Sequence, residues 1–377
     1  MPSSDLVIVG GGPVGLATAI LASQAGLRVR VLDKRRPPID KACGEGLMPD
    51  GVQILSCLGW MPGPGESAPI KGIRYLDGGR VADAEFATAH GLGIRRPVLH
   101  RGLVEAARQS GVELSWGRRV TRLFEDSVEV GVECGKERIN ARWVVGADGL
   151  KSQIRRWSGL GGRSSRHRRV GVRRHFRIAP WSEMVEVHWA DGCEAYVTPV
   201  SPEEVGVAML WSGEKQGSGN GFETLLSRFP TLVDRLAGRP ITSRDCGAGP
   251  LYHLARRFYS ERVALVGDAA GYLDAITGEG LAVGFQQARS LVDALVAADL
   301  GLYAREARRL VAFPFLLIRA LLLVERRPWL RRRLIAALAA DRDLFSKLLA
   351  IHARQLEPAD LGVAGVARLL GGLLTAS

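Results

Sequence analysis

The stretch Asp5-Leu6-Val7-Ile8-Val9-Gly10-Gly11-Gly12-Pro13-Val14-Gly15 decides the fold. Residues 5–9 are a short apolar run, the pattern of a buried parallel strand. Leu16, Ala19, Ile20 and Ala22 then recur at helical spacing, and Gly26 ends that helix. Leu27–Leu32 alternates as a second strand and runs into Asp33. The glycines spell G-x-G-x-x-G between strand and helix. Gly10 permits a tight turn, Gly12 lets backbone approach a pyrophosphate, and Gly15 lets helix and strand pack closely. Pro13 and Val14 open the helix, whose free N–H groups favour phosphate charge. Asp33, 23 residues after Gly10, is placed to bind a ribose hydroxyl, with Lys34 beside it. The whole unit implies a bound dinucleotide.

Two further turns follow apolar runs. Trp143–Val145 leads into Gly146-Ala147-Asp148-Gly149, and Arg262–Val266 leads into Gly267-Asp268-Ala269-Ala270-Gly271. Asp268, at a strand end, can accept a hydrogen bond from a polyol hydroxyl. Thr277-Gly278-Glu279-Gly280-Leu281 then opens a long helix, whose N–H groups can stabilise an anion.

In this order and spacing the three motifs resemble the FAD-dependent para-hydroxybenzoate hydroxylase-like superfamily, the group A flavin monooxygenases, over roughly residues 5–290. The resemblance implies FAD on Gly10, Gly12, Pro13, Val14, Gly15, Asp33 and Lys34. It implies contacts to FAD and the nicotinamide at Asp148 and Gly149. Ribityl and pyrophosphate contacts are implied at Gly267 and Asp268, and flavin contacts at Gly278, Glu279, Gly280 and Leu281. Arg101, in Leu99-His100-Arg101-Gly102-Leu103, matches a family arginine that leans on the flavin, and Val120 lies where backbone commonly meets adenine. Lys41-Ala42-Cys43-Gly44-Glu45-Gly46-Leu47 is similar to the geranylgeranyl reductase-like branch. That branch's Tyr-x-Trp-x-Phe-Pro signature is altered here to Glu194-Ala195-Tyr196-Val197-Thr198-Pro199.

Cys43 reads as a catalytic thiol, a pocket residue near the flavin, or a small inert cysteine. Glu45, His175, Trp189 and Tyr196 are candidate substrate-side residues, against backbone capping for Glu45 and core packing for the other three. No metal site is expected, since no C-x-x-C pair occurs among the five cysteines.

These readings imply an α/β fold. A discontinuous Rossmann-like FAD-binding domain (1–70, 97–168, 261–300) would carry an inserted antiparallel β-sheet substrate domain (71–96, 169–260). A helical C-terminal segment (301–377) would follow, broken at Pro314, Pro328 and Pro358. The implied activity is that of an FAD-dependent oxidoreductase reduced by NADPH or NADH. The leading expectation is a monooxygenase that uses O2 to hydroxylate a hydrophobic or aromatic natural-product-type molecule. The alternatives are a C=C reductase of an isoprenoid or lipid, and a flavoprotein that modifies a partner protein.

The 377 residues carry a net charge of +12, unevenly spread. Segment 151–177 is net +10 and segment 303–377 net +7, which leaves the remainder at −5. The first reads as a solvated linker, or as a cluster around Arg166, Arg168 and Arg169 that attracts NADPH phosphates. The second, with Phe313–Ile318 and Ala320–Val324 among its arginines, reads as helices packed on the FAD domain or as a peripheral membrane contact. The basic runs lack the interleaved aromatics and modules of a nucleic-acid binder. No run of 18 apolar residues occurs, and Met1–Gly12 has no signal-peptide pattern, so a cytoplasmic or membrane-peripheral protein is expected.

Overall fold

The computed structural model describes residues 4–126, 129–164, 169–212 and 221–375. The quoted stretch folds as read: β1 (Ser4–Val9), α1 (Pro13–Gln24) and β2 (Val29–Asp33), with Pro13 at the helix start. Leu6, Ile8, Leu16, Ala19 and Ile20 are fully buried, so a packed apolar interior joins helix to sheet.

β1 is central. It pairs in parallel with β2 on one side and with strand Glu137–Gly146 on the other. Strand Glu113–Trp116 extends the sheet beyond β2. Glu137–Gly146 is shared between two arrangements. Its end, Val144–Gly146, runs parallel to Val263–Leu265, while its beginning is antiparallel to Val130–Cys134, which pairs with Arg122–Glu125. The register sets Val9 opposite Gly146 and Gly146 opposite Leu265. All three glycine-containing turns therefore leave the sheet at the carboxyl ends of adjacent strands, where open α/β sheets bind ligands.

A second seven-stranded sheet runs Cys246–Ala248, Arg169–Arg177, Glu204–Ser212, Cys193–Ser201, Met184–Ala190, Gly72–Asp77, Arg80–Glu85. It is antiparallel except where Met184–Ala190 meets Gly72–Asp77. Four of its strands follow one another in sequence between Arg169 and Ser212.

The C-terminal region is helical, but Pro314 does not break it. Helix Leu300–Glu325 runs straight through that residue. A proline inside a helix strips the carbonyl four residues earlier of its partner. Here Leu310 O accepts instead from Arg354 Nη2 at 3.1 Å. Arg354 also holds Asp50 at 2.9 Å, so the repair ties the tail to helix Pro49–Cys57. Pro328 does open a new helix, Pro328–Ala340, and Pro358 a short 3-10 turn. Among the described residues no helix is long and apolar enough to cross a membrane.

Candidate cofactor and substrate site

The first turn is fixed by backbone contact. Gly10 has φ +114°, and a Cβ there would lie 2.4 Å from Ala147 O. A Cβ on Gly15 would lie 1.9 Å from Gly10 O. Gly12 differs: a Cβ there would meet only Arg96, at 3.9 Å, so its surroundings are open. Asp33 Oδ2 accepts from Gly11 N at 2.8 Å and Oδ1 from Arg35 N at 2.7 Å. A carboxylate has about four acceptor positions, so two remain for ribose hydroxyls. Lys34 is exposed. Arg118 N donates to Asp33 O at 2.8 Å, which brings the segment before Val120 beside Asp33. Val120 itself packs on the core under this sheet.

Two residues that lock this loop were not legible in the sequence. His100 is fully buried and its Nε2 donates to Gly11 O at 2.8 Å. Burial lowers its pKa, which favours the neutral ring whose Nδ1 accepts from Ile39 N at 3.4 Å. Trp116 lies over Gly11 so closely that a Cβ there would sit 2.4 Å from the ring.

The other two turns are joined by side chains. Asp148 Oδ2 accepts from Gln153 N and Ile154 N, at 2.6 and 3.3 Å. Burial raises its pKa, and its Oδ1 is buried without a partner. Gly149 adopts φ +80°, and Lys41 Nζ lies 3.4 Å from its Cβ position. The same Lys41 holds Asp268 at 3.1 Å. Arg155 donates to Leu150 O at 2.6 Å and Ala269 O at 2.8 Å, clamping the second turn to the third. Gly267 N donates to the buried Gln287 Oε1 at 2.8 Å. Gly278 has φ +71° with open space around it, and Glu279 caps helix Gly280–Val296 without a side-chain bond. The first N–H groups of that helix thus lack intrahelical partners. Glu279 Oε1 is buried and unpartnered, and Leu281 is half-buried against the core.

Arg101 points elsewhere than the resemblance implied. It is exposed and pairs with Glu66, beside a surface cleft formed with Pro37, Pro38 and Trp60. The arginine that approaches Gly12 is Arg96, at the start of helix Arg96–Gln109, with its Nε buried and unpartnered.

On the facing sheet, Glu45 and His175 come together. Glu45 has φ +60° and is buried. Its Oε1 accepts from Arg96 N at 2.7 Å and its Oε2 pairs with His175 Nε2. Arg173 Nη1 lies 3.1 Å from His175 Nδ1. A guanidinium can only donate, so Nδ1 accepts and Nε2 carries the proton given to Glu45. Ser243 Oγ lies 2.8 Å from the same Nδ1, and Arg173 reaches Asp40 at 2.5 Å. Cys43 is half-buried, and its Sγ accepts from Glu45 N at 3.4 Å. Tyr196 donates to Ile276 O at 2.9 Å, and Trp189 packs edge-on to Tyr75; both are buried in the core.

The basic run 151–177 is more structural than either sequence reading supposed. Arg155, Arg169 and Arg173 are buried. Arg169 binds Glu194 at 2.9 Å and Asp274 at 2.9 Å, with Glu325 at 3.7 Å. Arg166 and Arg168 lie outside the described residues. Burial and the excess of carboxylates push Glu194 up to about 7.

These residues fit FAD. There is open room at Gly12 and Gly278, and three polar atoms (Asp148 Oδ1, Glu279 Oε1, Arg96 Nε) are buried without partners at the three turns.

The comparisons agree with this geometry. The FAD binding domain family matches residues 3–228, and the chain belongs to it. It is an FAD-dependent oxidoreductase. It is 30% identical over 299 residues to a digeranylgeranylglycerophospholipid reductase 1 of Methanopyrus kandleri, covering 74% of this chain and 76% of that protein. It is 29% identical over 322 residues to ubiquinone hydroxylase UbiL of Rhodospirillum rubrum, covering 78% and 73%. A flavoprotein/dehydrogenase from Cytophaga hutchinsonii shares the fold, with a TM-score of 0.81 at 16% identity over 98% of this chain and 99% of that one.

Proposed function

We propose that this protein is an NADPH- or NADH-dependent monooxygenase that hydroxylates a hydrophobic or aromatic small molecule. When bound, FAD would supply the redox chemistry, taking a hydride from the nicotinamide and delivering electrons to O2. The chain's own residues bind, orient and shield. Gly12, Arg96 and the α1 N-terminus hold pyrophosphate charge, and Asp33 holds the ribose. The N-terminus of helix Gly280–Val296, which has no side-chain cap, would favour negative charge on a bound flavin. Glu45, fixed by His175 and Arg96 N, braces the Lys41–Gly46 turn against the antiparallel sheet, which excludes water.

The observation that carries hydroxylation over prenyl reduction is the run 194–199. Its sequence departs from the isoprenoid-reductase signature, and every residue from Cys193 to Val200 is buried, with Glu194 bound to Arg169 and Tyr196 to Ile276 O. The second reading, reduction of a C=C bond in an isoprenoid or lipid, is favoured by the reductase relative and by Cys43-Gly44-Glu45-Gly46-Leu47.

The deciding experiment follows NADPH and NADH oxidation with phenols, polyketides and prenyl compounds, with and without oxygen. The proposal expects a hydroxylated product formed only with oxygen. A product with a saturated C=C bond, formed anaerobically, would overturn it in favour of the reductase.

A further inference from the structure

Helix Leu300–Glu325 buries Tyr303, Ala307, Ile318 and Leu321 on one face. Its opposite face departs from what a solvent-facing surface normally shows. At 100° per residue, Leu316, Arg319, Leu323 and Arg326 fall on one side, and Arg327 and Trp329 continue it into the next helix. Leu316, Leu323 and Trp329 are 63%, 46% and 57% exposed. Arg319, Arg326 and Arg327 are exposed, and none makes an ion pair among the described residues. The helix offers no exposed acid to balance them: Glu325 is buried beside Arg169 and Glu306 is half-buried. A solvated helix face normally mixes both signs of charge and keeps large apolar residues sparse.

We propose that this face docks on an anionic lipid surface. The arginines meet phosphate headgroups, while Leu316, Leu323 and Trp329 enter the boundary with the acyl chains. Nucleic acid would satisfy the arginines but leave the leucines in water. The final helix, Gly362–Thr375, packs on Pro328–Ala340 and adds a second apolar stripe. Its Val363, Val366, Leu370 and Leu374 recur at i, i+3, i+7 and i+11, and are 45% to 88% exposed. The proposal adds a place of action to the functional reading above, and its test involves no turnover, so either can fail alone.

The test is co-sedimentation of the FAD-loaded full chain with phosphatidylcholine vesicles, with and without phosphatidylglycerol. The protein is expected to sediment with the anionic vesicles and to be largely released by high salt. R319Q/R326Q/R327Q should lower the partition coefficient roughly a hundred-fold. L316S/L323S/W329S should remove the salt-resistant remainder. Flavin absorbance and thermal melting report whether each variant is folded. Three results would overturn the proposal: no sedimentation of wild type with anionic vesicles at low salt, unchanged partition of a folded arginine variant, or tighter binding to an RNA oligonucleotide at the same salt.

Discussion

The parallel sheet seats Gly10 against Ala147 by backbone approach, whereas the antiparallel sheet assembles Arg169, Arg173 and His175 by charge. In the first, a Cβ on Gly10 or Gly15 would run into main-chain atoms, so the sequence must be glycine at set spacings. In the second, Arg169 meets Asp274, 105 residues away, and His175 meets Glu45, 130 residues away. A site built from backbone writes itself into neighbouring residues. A site built from ion pairs spreads over the whole chain.

The largest effect that would break this comparison is at Arg169. R169M leaves Glu194, Asp274 and Glu325 buried around no cation, and should cost about 3–5 kcal/mol in urea unfolding. A loss below about 1 kcal/mol would show that charge does not hold this sheet.

The same cluster makes stability depend on pH. Glu194 rises from 4.5 to about 7 on folding, mainly through burial. Between those values the folded chain keeps a proton that the unfolded chain releases. The stabilisation is therefore complete below pH 4.5, falls as pH rises, and is gone above pH 7. Its full size is about 3 kcal/mol. E194Q should flatten the slope of unfolding free energy across that window; an unchanged slope would assign it to another group.

A smaller loss is expected at His175. H175N removes the donor to Glu45 Oε2 and should cost about 1–3 kcal/mol by thermal or urea unfolding. The smallest is at Arg101, where R101A removes an exposed pair with Glu66 and should change stability by less than about 1 kcal/mol. R96M, by contrast, should weaken FAD binding in a fluorescence titration. If R101A weakens it more, the assignment of these two arginines is reversed.

How much was legible follows the same division. The strand–helix–strand unit, the three turns and the antiparallel character of the second sheet could all be read locally. The pairing of Glu45 with His175 could not, because nothing in either neighbourhood names the other. Arg96 and Arg101 lie on one helix, and composition does not say which end meets the glycine turn. Pro97 at the helix start is the signal that puts Arg96 there. His100 and Trp116 act on Gly11, a variable position of the glycine motif, so the motif gives no cue to them. Pro314 misled because the group that takes up its orphaned carbonyl, Arg354, lies 40 residues further on.

The most direct test of the division between a cofactor-holding half and a charge-built half is FAD titration of the apoprotein with two variants. Gly12 has extended backbone and open space, so G12V should fold normally while its side chain fills the room beside Arg96. The account predicts that G12V loses FAD affinity at least about a hundred-fold, as expected for a blocked pyrophosphate site, while H175N binds FAD as wild type does. A G12V protein that retains its flavin, or an H175N protein that is folded but loses it, would contradict the account.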